Sequence, residues 1–214
     1  MKPRWWDDAA RELARRDPVM RRLVRKYPGA SLKRRSDAFT ALARAITGQQ
    51  ISVKAADAIW RRFVAAAAPD DAHRAFPRID PARVAALPAD AMRGIGYSAR
   101  KAAYVGDLAA HFVSGRLDPR SWKSLDDEAL IAALVDVRGI GRWTAEMFLM
   151  FHELRADVFP VDDLGLRKAV VVHYGRGRAL TVDEIRAAGE RWRPWRSAAT
   201  WYLWRSLDPI PIEY

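Results

Sequence analysis

The sequence predicts an all-α fold, and three observations carry that prediction. Capping residues precede apolar residues at helical spacing along most of the chain, as Ser52 precedes Ile59 and Phe63. Strand signals are almost absent, because the one β-branched run, residues 170–172, is short and lies in a helical pattern. Half of the 214 residues are apolar and nine are tryptophan, which is enough to bury a core.

The individual helices are placed by their caps. Asp17 followed by Pro18 is a typical N-cap and first helical position. Thr181 and Glu184 have the spacing of a capping box. Four prolines between residues 69 and 88 predict short turns there. The predicted helices cover residues 19–26, 36–46, 52–68, 98–113, 126–137, 142–152, 163–171, 181–192 and 194–204.

Charge and composition narrow the function classes. The formal net charge of +11 favours a polyanionic partner, because Lys and Arg that neutralise phosphates release counterions. A soluble protein that is merely basic is the alternative. The chain has no Cys, which excludes disulfides, thiol nucleophiles and Cys-ligated metal sites. Its four His show no metal-ligand spacing, so no metal site built from side chains is expected.

Nothing in the sequence directs the chain to a membrane. No apolar run approaches the ~18 residues of a membrane span. The first ten residues include two Trp and two Asp, so they lack the apolar segment of a signal peptide. We therefore expect a cytoplasmic, nucleoid-associated protein with no membrane partner.

A tetrapeptide is repeated, since residues 93–96 and 138–141 both read Arg-Gly-Ile-Gly between predicted helices. Such a Gly-x-Gly turn admits positive φ and lets another backbone approach closely. Taken alone, either copy can instead be a helix C-cap with its connector.

The second copy lies in a longer pattern, LVDVRGIGRWTAEMF at residues 134–148, which resembles the hairpin of the helix-hairpin-helix DNA glycosylases. Such a hairpin exposes backbone N–H groups at a helix N-terminus, where the dipole favours a DNA phosphate. Gly139 and Gly141 permit that contact by being small, and Arg138, Arg142 and Thr144 add candidate side-chain contacts.

The resemblance also gives a candidate catalytic residue. Residues 161–168, VDDLGLRK, are similar to a segment of the alkylpurine glycosylase branch, and position assigns its catalytic aspartate to Asp163, with Asp162 as the alternative. Either carboxylate can instead be only a helix N-cap. Cleaving an N-glycosidic bond builds positive charge on the sugar, which a carboxylate stabilises while it orients the attacking water.

One residue expected of a related reaction is missing. Bifunctional glycosylase/lyases of this superfamily use a Lys near the start of the second hairpin helix to form a Schiff base. Trp143 takes that position here, and no Lys lies between Lys123 and Lys168. The resemblance therefore implies a monofunctional enzyme without lyase activity.

A loop that contacts DNA is indicated by residues 45–54, AITGQQISVK, which resemble the segment that plugs the gap left by a flipped nucleotide. By position the wedge is Gln50, with Gln49 beside it as a contact to the base and Ser52 as a further DNA contact. Gln50 departs from the apolar residue usual there. The alternative is a polar helix-capping loop.

The pocket for the base follows from the same resemblance. Residues 190–197 and the helix beyond resemble the branch's last helix, which places Trp204 at the base. Trp143 and Met147 lie four residues apart on one helix face and form a second wall, with Leu164 next to the catalytic carboxylate. Relatives often have an aromatic residue at Met147, so the preferred lesion can differ. The alternative is that these are ordinary core residues.

The resemblance as a whole implies a single domain over residues 1–214, in the branch without an N-terminal β domain. We expect two helical lobes flanking a cleft, approximately residues 36–115 and residues 1–35 plus 116–214.

The expected activity is hydrolysis of the N-glycosidic bond of 3-methyladenine and 7-methylguanine in double-stranded DNA by base flipping, as a step of base excision repair. The protein is expected to act as a monomer. No cofactor is required, and a monovalent cation on the hairpin's backbone carbonyls is a further implication. The alternatives are a non-catalytic helix-hairpin-helix DNA-binding protein and a glycosylase for oxidised or mismatched bases.

Overall fold

The computed structural model describes residues 2–207, and over that range the chain is helical without any strand, which confirms the all-α prediction. The helices are α1 (Trp6–Arg16), α2 (Pro18–Lys26), α3 (Ala38–Gly48), α4 (Val53–Ala67), α5 (Pro81–Ala85), α6 (Ala89–Ile95), α7 (Ala99–Val113), α8 (Asp127–Val135), α9 (Arg142–Phe151), α10 (Leu164–Tyr174), α11 (Val182–Glu190) and α12 (Arg196–Leu207). Two short 3₁₀ turns, Pro69–Asp71 and Trp122–Ser124, lie in the connections.

Most helices begin where their caps predict. The carboxylate of Asp17 accepts the Val19 N–H at 2.8 Å, directly before α2. Ser52 caps α4, and Thr181 forms the expected capping box with Glu184 at the start of α11. The orphan N–H groups of these first turns are therefore satisfied by local side chains.

Two predicted helix starts are wrong by one or two residues. Asp37, rather than Ser36, caps α3, because its carboxylate accepts the backbone N–H of Thr40 at 3.0 Å. The last helix begins at Arg196 rather than Pro194, after a cis peptide bond between Arg193 and Pro194.

The chain divides into two compact units. One comprises residues 2–34 and 149–207 of the described chain, and the other comprises residues 35–148. The predicted lobes differ from these units over residues 116–148, which group with residues 35–115. Side-chain contacts explain that grouping, because His111 of α7 is hydrogen-bonded to Asp136 at 3.1 Å and Phe112 packs against Trp122.

The first unit is built around tryptophan. Trp6 and Trp192 are fully buried, and α1, α2, α10, α11 and α12 enclose them. The buried carboxylate of Asp17 accepts hydrogen bonds from the Tyr174 hydroxyl at 3.0 Å and the Trp192 indole at 3.2 Å. A buried carboxylate needs such donors, and these fix the end of α10 against the core.

In the second unit α3 packs against α4 and α7, α4 packs against α6, and α5 and α6 pack against α7. Phe39 and Phe63 are buried at its centre, and Phe63 meets the ring of Tyr97 edge to face at 5.5 Å. The Tyr97 hydroxyl bonds the hydroxyl of Thr47 in the last turn of α3 at 2.6 Å. This contact fixes the end of α3, from which the loop of residues 48–52 departs.

Among the helices of residues 2–207, none is both long enough and apolar enough to cross a membrane.

Candidate functional site

Asp163 is the N-cap of α10, and its Oδ1 atom accepts two hydrogen bonds. The backbone N–H of Leu166 donates at 2.7 Å and the indole Nε1 of Trp204 donates at 2.8 Å. Asp163 is half-buried. Two donors and the positive end of the helix dipole stabilise a negative charge in a fixed orientation at this position.

A glycine permits this arrangement. A Cβ atom at Gly165 would lie 3.1 Å from Asp163 Oδ1 and 3.3 Å from Trp204 Cδ1. A larger residue would therefore press on both partners of the indole–carboxylate bond. Gly165 was not among the predicted site residues, although a glycine two residues after a candidate carboxylate is visible in the sequence.

Asp162, the alternative carboxylate, has different surroundings. It is exposed, and Arg167 donates to its Oδ1 at 2.9 Å. The same guanidinium donates through Nε to the carbonyl of Val161 at 2.7 Å. Of the two carboxylates, Asp163 is thus the less exposed one and the one in contact with an indole.

The residues predicted to join Asp163 within the first unit lie close to it. Trp204 stacks almost parallel on Phe151, with ring centroids 6.0 Å apart and an interplanar angle of 9°. Leu164, the first residue of α10, is 78% exposed. An exposed leucine beside the carboxylate offers apolar surface to a ligand.

The hairpin, residues 137–141, has the backbone conformation that its glycines predict. Gly139 has φ +89°, and a Cβ there would overlap the ring of Tyr104. Apart from its two chain neighbours, no heavy atom of residues 2–207 lies within 4 Å of the Cβ position at Gly141, so that side of the turn is open within the described chain. The backbone N–H of Arg138 donates to the carboxylate of Asp107 at 2.8 Å. Residues Tyr104 and Asp107 of α7, which the sequence analysis missed, therefore support the hairpin.

The three side chains predicted to contact phosphate have unequal access. Arg138 is exposed, whereas Thr144 is buried in α9. Arg142 donates to both carboxylate oxygens of Glu128 at 2.9 and 2.5 Å and to Glu146 at 3.1 Å. A phosphate bound by Arg142 would have to share its guanidinium with these two carboxylates.

The loop of residues 48–52 carries both predicted glutamines. Gln50 is exposed and has φ +57°, the left-handed conformation that non-glycine residues rarely adopt. The side-chain amide of Gln49 donates to the carbonyl of Gly139 at 2.9 Å. The structure therefore places Gln49 against the hairpin, while Ser52 caps α4.

The two predicted pocket residues on α9 differ in exposure. Trp143 is 39% exposed, and Met147 is 5% exposed. They lie one turn apart on the same helix face. Within residues 2–207, no group of three His, Asp or Glu side chains is arranged to hold a metal ion.

A separate basic groove of about 890 Å³ lies at the opposite end of α10 from Asp163. Arg176, Arg178 and Arg191 line it, together with His173. None of the predicted site residues lines this groove. The length of α10, which rises about 1.5 Å per residue, separates the groove from Asp163.

Comparisons with known proteins agree with the features described above. A family model described as HhH-GPD superfamily base excision DNA repair protein matches residues 43–194. DNA-3-methyladenine glycosylase 1 of Schizosaccharomyces pombe is 34% identical over 86% of this chain and 79% of its own length. A DNA-3-methyladenine glycosylase of Bacillus subtilis is 31% identical over 92% of this chain, which spans 66% of that relative. The structure of the S. pombe 3-methyladenine DNA glycosylase Mag1 in complex with abasic DNA is 31% identical with a TM-score of 0.78, covering 93% of this chain and 96% of that one.

Proposed function

The chain belongs to the HhH-GPD superfamily of base excision DNA repair proteins, and from that premise we propose that it is a monofunctional DNA glycosylase for alkylated purines. It hydrolyses the N-glycosidic bond of 3-methyladenine and 7-methylguanine in duplex DNA and leaves an abasic site. The relatives named 3-methyladenine glycosylases, one of them bound to abasic DNA, support this assignment. Its place of action is the chromosome in the cytoplasm.

The observation that carries the proposal is the hydrogen bond between Trp204 and Asp163 at the N-terminus of α10. As the base departs, C1′ of the deoxyribose gains positive charge, and the Asp163 carboxylate stabilises it. The carboxylate accepts a proton from the attacking water, whose oxygen bonds to C1′ while the bond to the base nitrogen breaks. An alkylated purine carries a positive charge and leaves as a neutral base, so strong acid catalysis is unnecessary.

Base recognition is assigned to apolar and aromatic side chains. An enzyme that acts on a base in duplex DNA must flip it out and hold it by stacking. We assign base contacts to Trp143, Met147, Trp204 and Leu164, because electron-rich indoles attract a cationic ring. Gln50 fills the gap left in the duplex. Gln49 is kept as a proposed contact to the base, and its amide also donates to the carbonyl of Gly139.

We assign DNA binding to the hairpin. The protein binds duplex DNA as a monomer. Phosphate approaches the open side of Gly141 and the N-terminal N–H groups of α9. Further contacts to the phosphates come from Arg138, Arg142, Thr144 and Ser52, the last at the end of the loop of residues 48–52. The net charge of +11 steers the protein to DNA.

No cofactor is required by this chemistry. A monovalent cation on the hairpin carbonyls is compatible with the structure, because the Val137 and Gly139 oxygens each accept one hydrogen bond and retain a second lone pair. Such an ion would hold the turn together while phosphate binds. The chemistry at C1′ does not involve it.

The proposal is tested by base release from duplex DNA treated with a methylating agent. We expect free 3-methyladenine and 7-methylguanine, with strand breaks appearing only after alkali, because Trp143 stands where a lyase has its Lys. Release of 8-oxoguanine in preference to methylpurines would replace the proposed substrate class. Salt-sensitive DNA binding without release of any base would support a non-catalytic DNA-binding protein instead.

A further inference from the structure

The ammonium group of Lys101, on α7, binds the backbone of another segment. Its Nζ donates to the carbonyls of Thr47 and Gln49, each at 2.7 Å. Both oxygens belong to the end of α3, where carbonyls lack helical partners and a cation complements the helix dipole. Lys101 is half-buried, and that burial lowers the pKa of its side chain.

These carbonyls lie directly before the strained point of the loop of residues 48–52. Gln50 follows Gln49 with φ +57°, a conformation that costs a non-glycine residue energy and persists only where the surroundings hold it. Lys101 holds the chain on one side of this residue. The bond from the Gln49 amide to the Gly139 carbonyl ties the same loop to the hairpin.

The same helix also supports the hairpin. Tyr104 packs against Gly139, and Asp107 accepts the backbone N–H of Arg138. Lys101, Tyr104 and Asp107 are spaced three residues apart, so they lie along one face of α7. One rigid helix therefore fixes two loops at once, the loop of residues 48–52 and the hairpin.

We propose that Lys101 is a positioning residue that presents Gln50 to the DNA at a fixed distance from the phosphate-binding hairpin. This inference rests on the proposed function of Gln50 as the wedge. Because the hairpin keeps its own supports from Tyr104 and Asp107, loss of Lys101 leaves phosphate binding in place. The same loss leaves the Gln50 side chain without a fixed orientation, so base flipping and base release are impaired while duplex binding is retained.

The test compares Lys101→Met with Arg100→Met. Both variants remove one positive charge from the start of α7, but Arg100 is exposed. In single-turnover reactions on methylated duplex, we expect Lys101→Met to release base about 10–100-fold more slowly, the change expected for loss of one or two charge-assisted hydrogen bonds. Its Kd for undamaged duplex should stay within about threefold of that of Arg100→Met.

Two further measurements separate positioning from a purely structural role. A 2-aminopurine next to the lesion should show a smaller flipping signal with Lys101→Met, and Lys101→Arg should recover most of the lost rate. Equal slowing in both Met variants would show that charge alone matters and would overturn the proposal. Equal losses of duplex affinity and rate in Lys101→Met would do the same. If Lys101→Met does not fold, Lys101→Gln is measured against the same criteria.

Hydrogen exchange tests the loop without any substrate. We expect faster exchange at the amides of residues 49–52 in Lys101→Met than in Arg100→Met, with the hairpin amides unchanged. Unchanged exchange in the loop would refute the inference whatever the enzyme acts on. A wild-type protein that releases no methylpurine would refute the proposed function, while the exchange comparison would still decide whether Lys101 orders the loop.

Discussion

At Asp163 a single carboxylate oxygen caps a helix and accepts an indole N–H. The cap fixes the Cα position through the backbone, and the indole fixes the side-chain rotation. Their combination matters because a carboxylate that stabilises a developing cation must be held in place before the charge appears. Asp162, one residue earlier, is exposed and paired with Arg167, so it lacks both restraints.

Replacing Trp204 by Phe should reduce catalysis more than stability. The ring still stacks on Phe151, but the carboxylate loses a charge-assisted donor worth about 1.5–3 kcal/mol. We expect the single-turnover rate of base release to fall about 10–100-fold, with duplex affinity little changed.

Trp195→Phe is the matched control, because the indole of Trp195 also donates to a carboxylate, that of Glu12. It should lose a comparable hydrogen bond and retain activity. Equal rates for Trp204→Phe and wild type would show that the indole N–H does not orient Asp163.

A local motif in the sequence makes Asp163 a candidate, but it does not predict the hydrogen bond that Asp163 accepts from Trp204. The Trp204 indole reaches Asp163 across 41 residues, and nothing in either local pattern specifies that pairing. The same applies to Lys101, which looks like an ordinary exposed helix residue until α3 is placed beside α7.

At the scale of elements, the two Arg-Gly-Ile-Gly copies have different structures. Gly96 ends α6 with φ +105°, which is the simple helix C-cap. In the second copy the turn is supported by Tyr104 and by the carboxylate of Asp107. The tetrapeptide alone does not distinguish the two copies, because these supports come from α7, and only the longer pattern around residues 134–148 sets the second copy apart.

Alanine substitutions at the two hairpin glycines should have different effects, one on stability and the other on DNA binding. Gly139→Ala combines a positive φ with overlap against Tyr104, so it should lower the free energy of unfolding by more than about 1–2 kcal/mol. Gly141→Ala adds a Cβ that meets no atom within 4 Å in the described part of the chain, its neighbours in sequence apart, and should leave stability within about 0.5 kcal/mol of wild type. It should nonetheless weaken duplex binding about tenfold if phosphate approaches the backbone there.

Denaturant unfolding and fluorescence anisotropy with a labelled duplex measure both effects. A Gly139→Ala protein as stable as wild type would contradict the account of the turn. Wild-type affinity in Gly141→Ala would show that phosphate binds elsewhere.

The helices themselves could be predicted well from caps and spacing. Asp17, Ser52 and Thr181 mark true helix starts because an N-cap acts within three or four residues. The predicted start of α12 is wrong because Pro194, although proline is a common first helical residue, lies before the helix, which begins at Arg196.

At the scale of the whole molecule, the grouping of helices into units was the least predictable feature. Residues 116–148 belong with residues 35–115 because of contacts such as the hydrogen bond between His111 and Asp136. Those contacts depend on packing between helices that are distant in the sequence. The division falls within α9, a continuous helix whose own pattern contains no boundary signal.

Stability of the whole chain should fall in acid through His152. This residue is buried, and its Nε2 lies 2.7 Å from the guanidinium of Arg34, which can only donate. A carboxylate oxygen of Glu153 lies farther from the same nitrogen, at 3.5 Å. Burial, together with the charge of Arg34, lowers the pKa of His152 from 6.5 to about 3. Between those values the unfolded chain binds the proton and the folded chain does not, so stability is lost as pH falls from about 6.5 towards 3.

We expect His152→Gln to show a shallower loss of unfolding free energy between pH 6 and pH 4, by up to about 1.4 kcal/mol per pH unit. His73→Gln, at an exposed position, is the control and should follow the wild-type slope. Chemical denaturation at several pH values provides the measurement. Parallel slopes for wild type and His152→Gln would contradict this assignment.

The most direct test of the central claim is single-turnover release of methylpurines from methylated duplex DNA by wild type, Asp163→Asn and Asp162→Asn. Both substitutions remove one negative charge at adjacent positions, and only one removes the carboxylate that Trp204 contacts. The account predicts that Asp163→Asn binds duplex DNA but releases base at least about 100-fold more slowly, while Asp162→Asn stays within about tenfold of wild type. Undiminished release by Asp163→Asn, or a larger loss in Asp162→Asn, would contradict it.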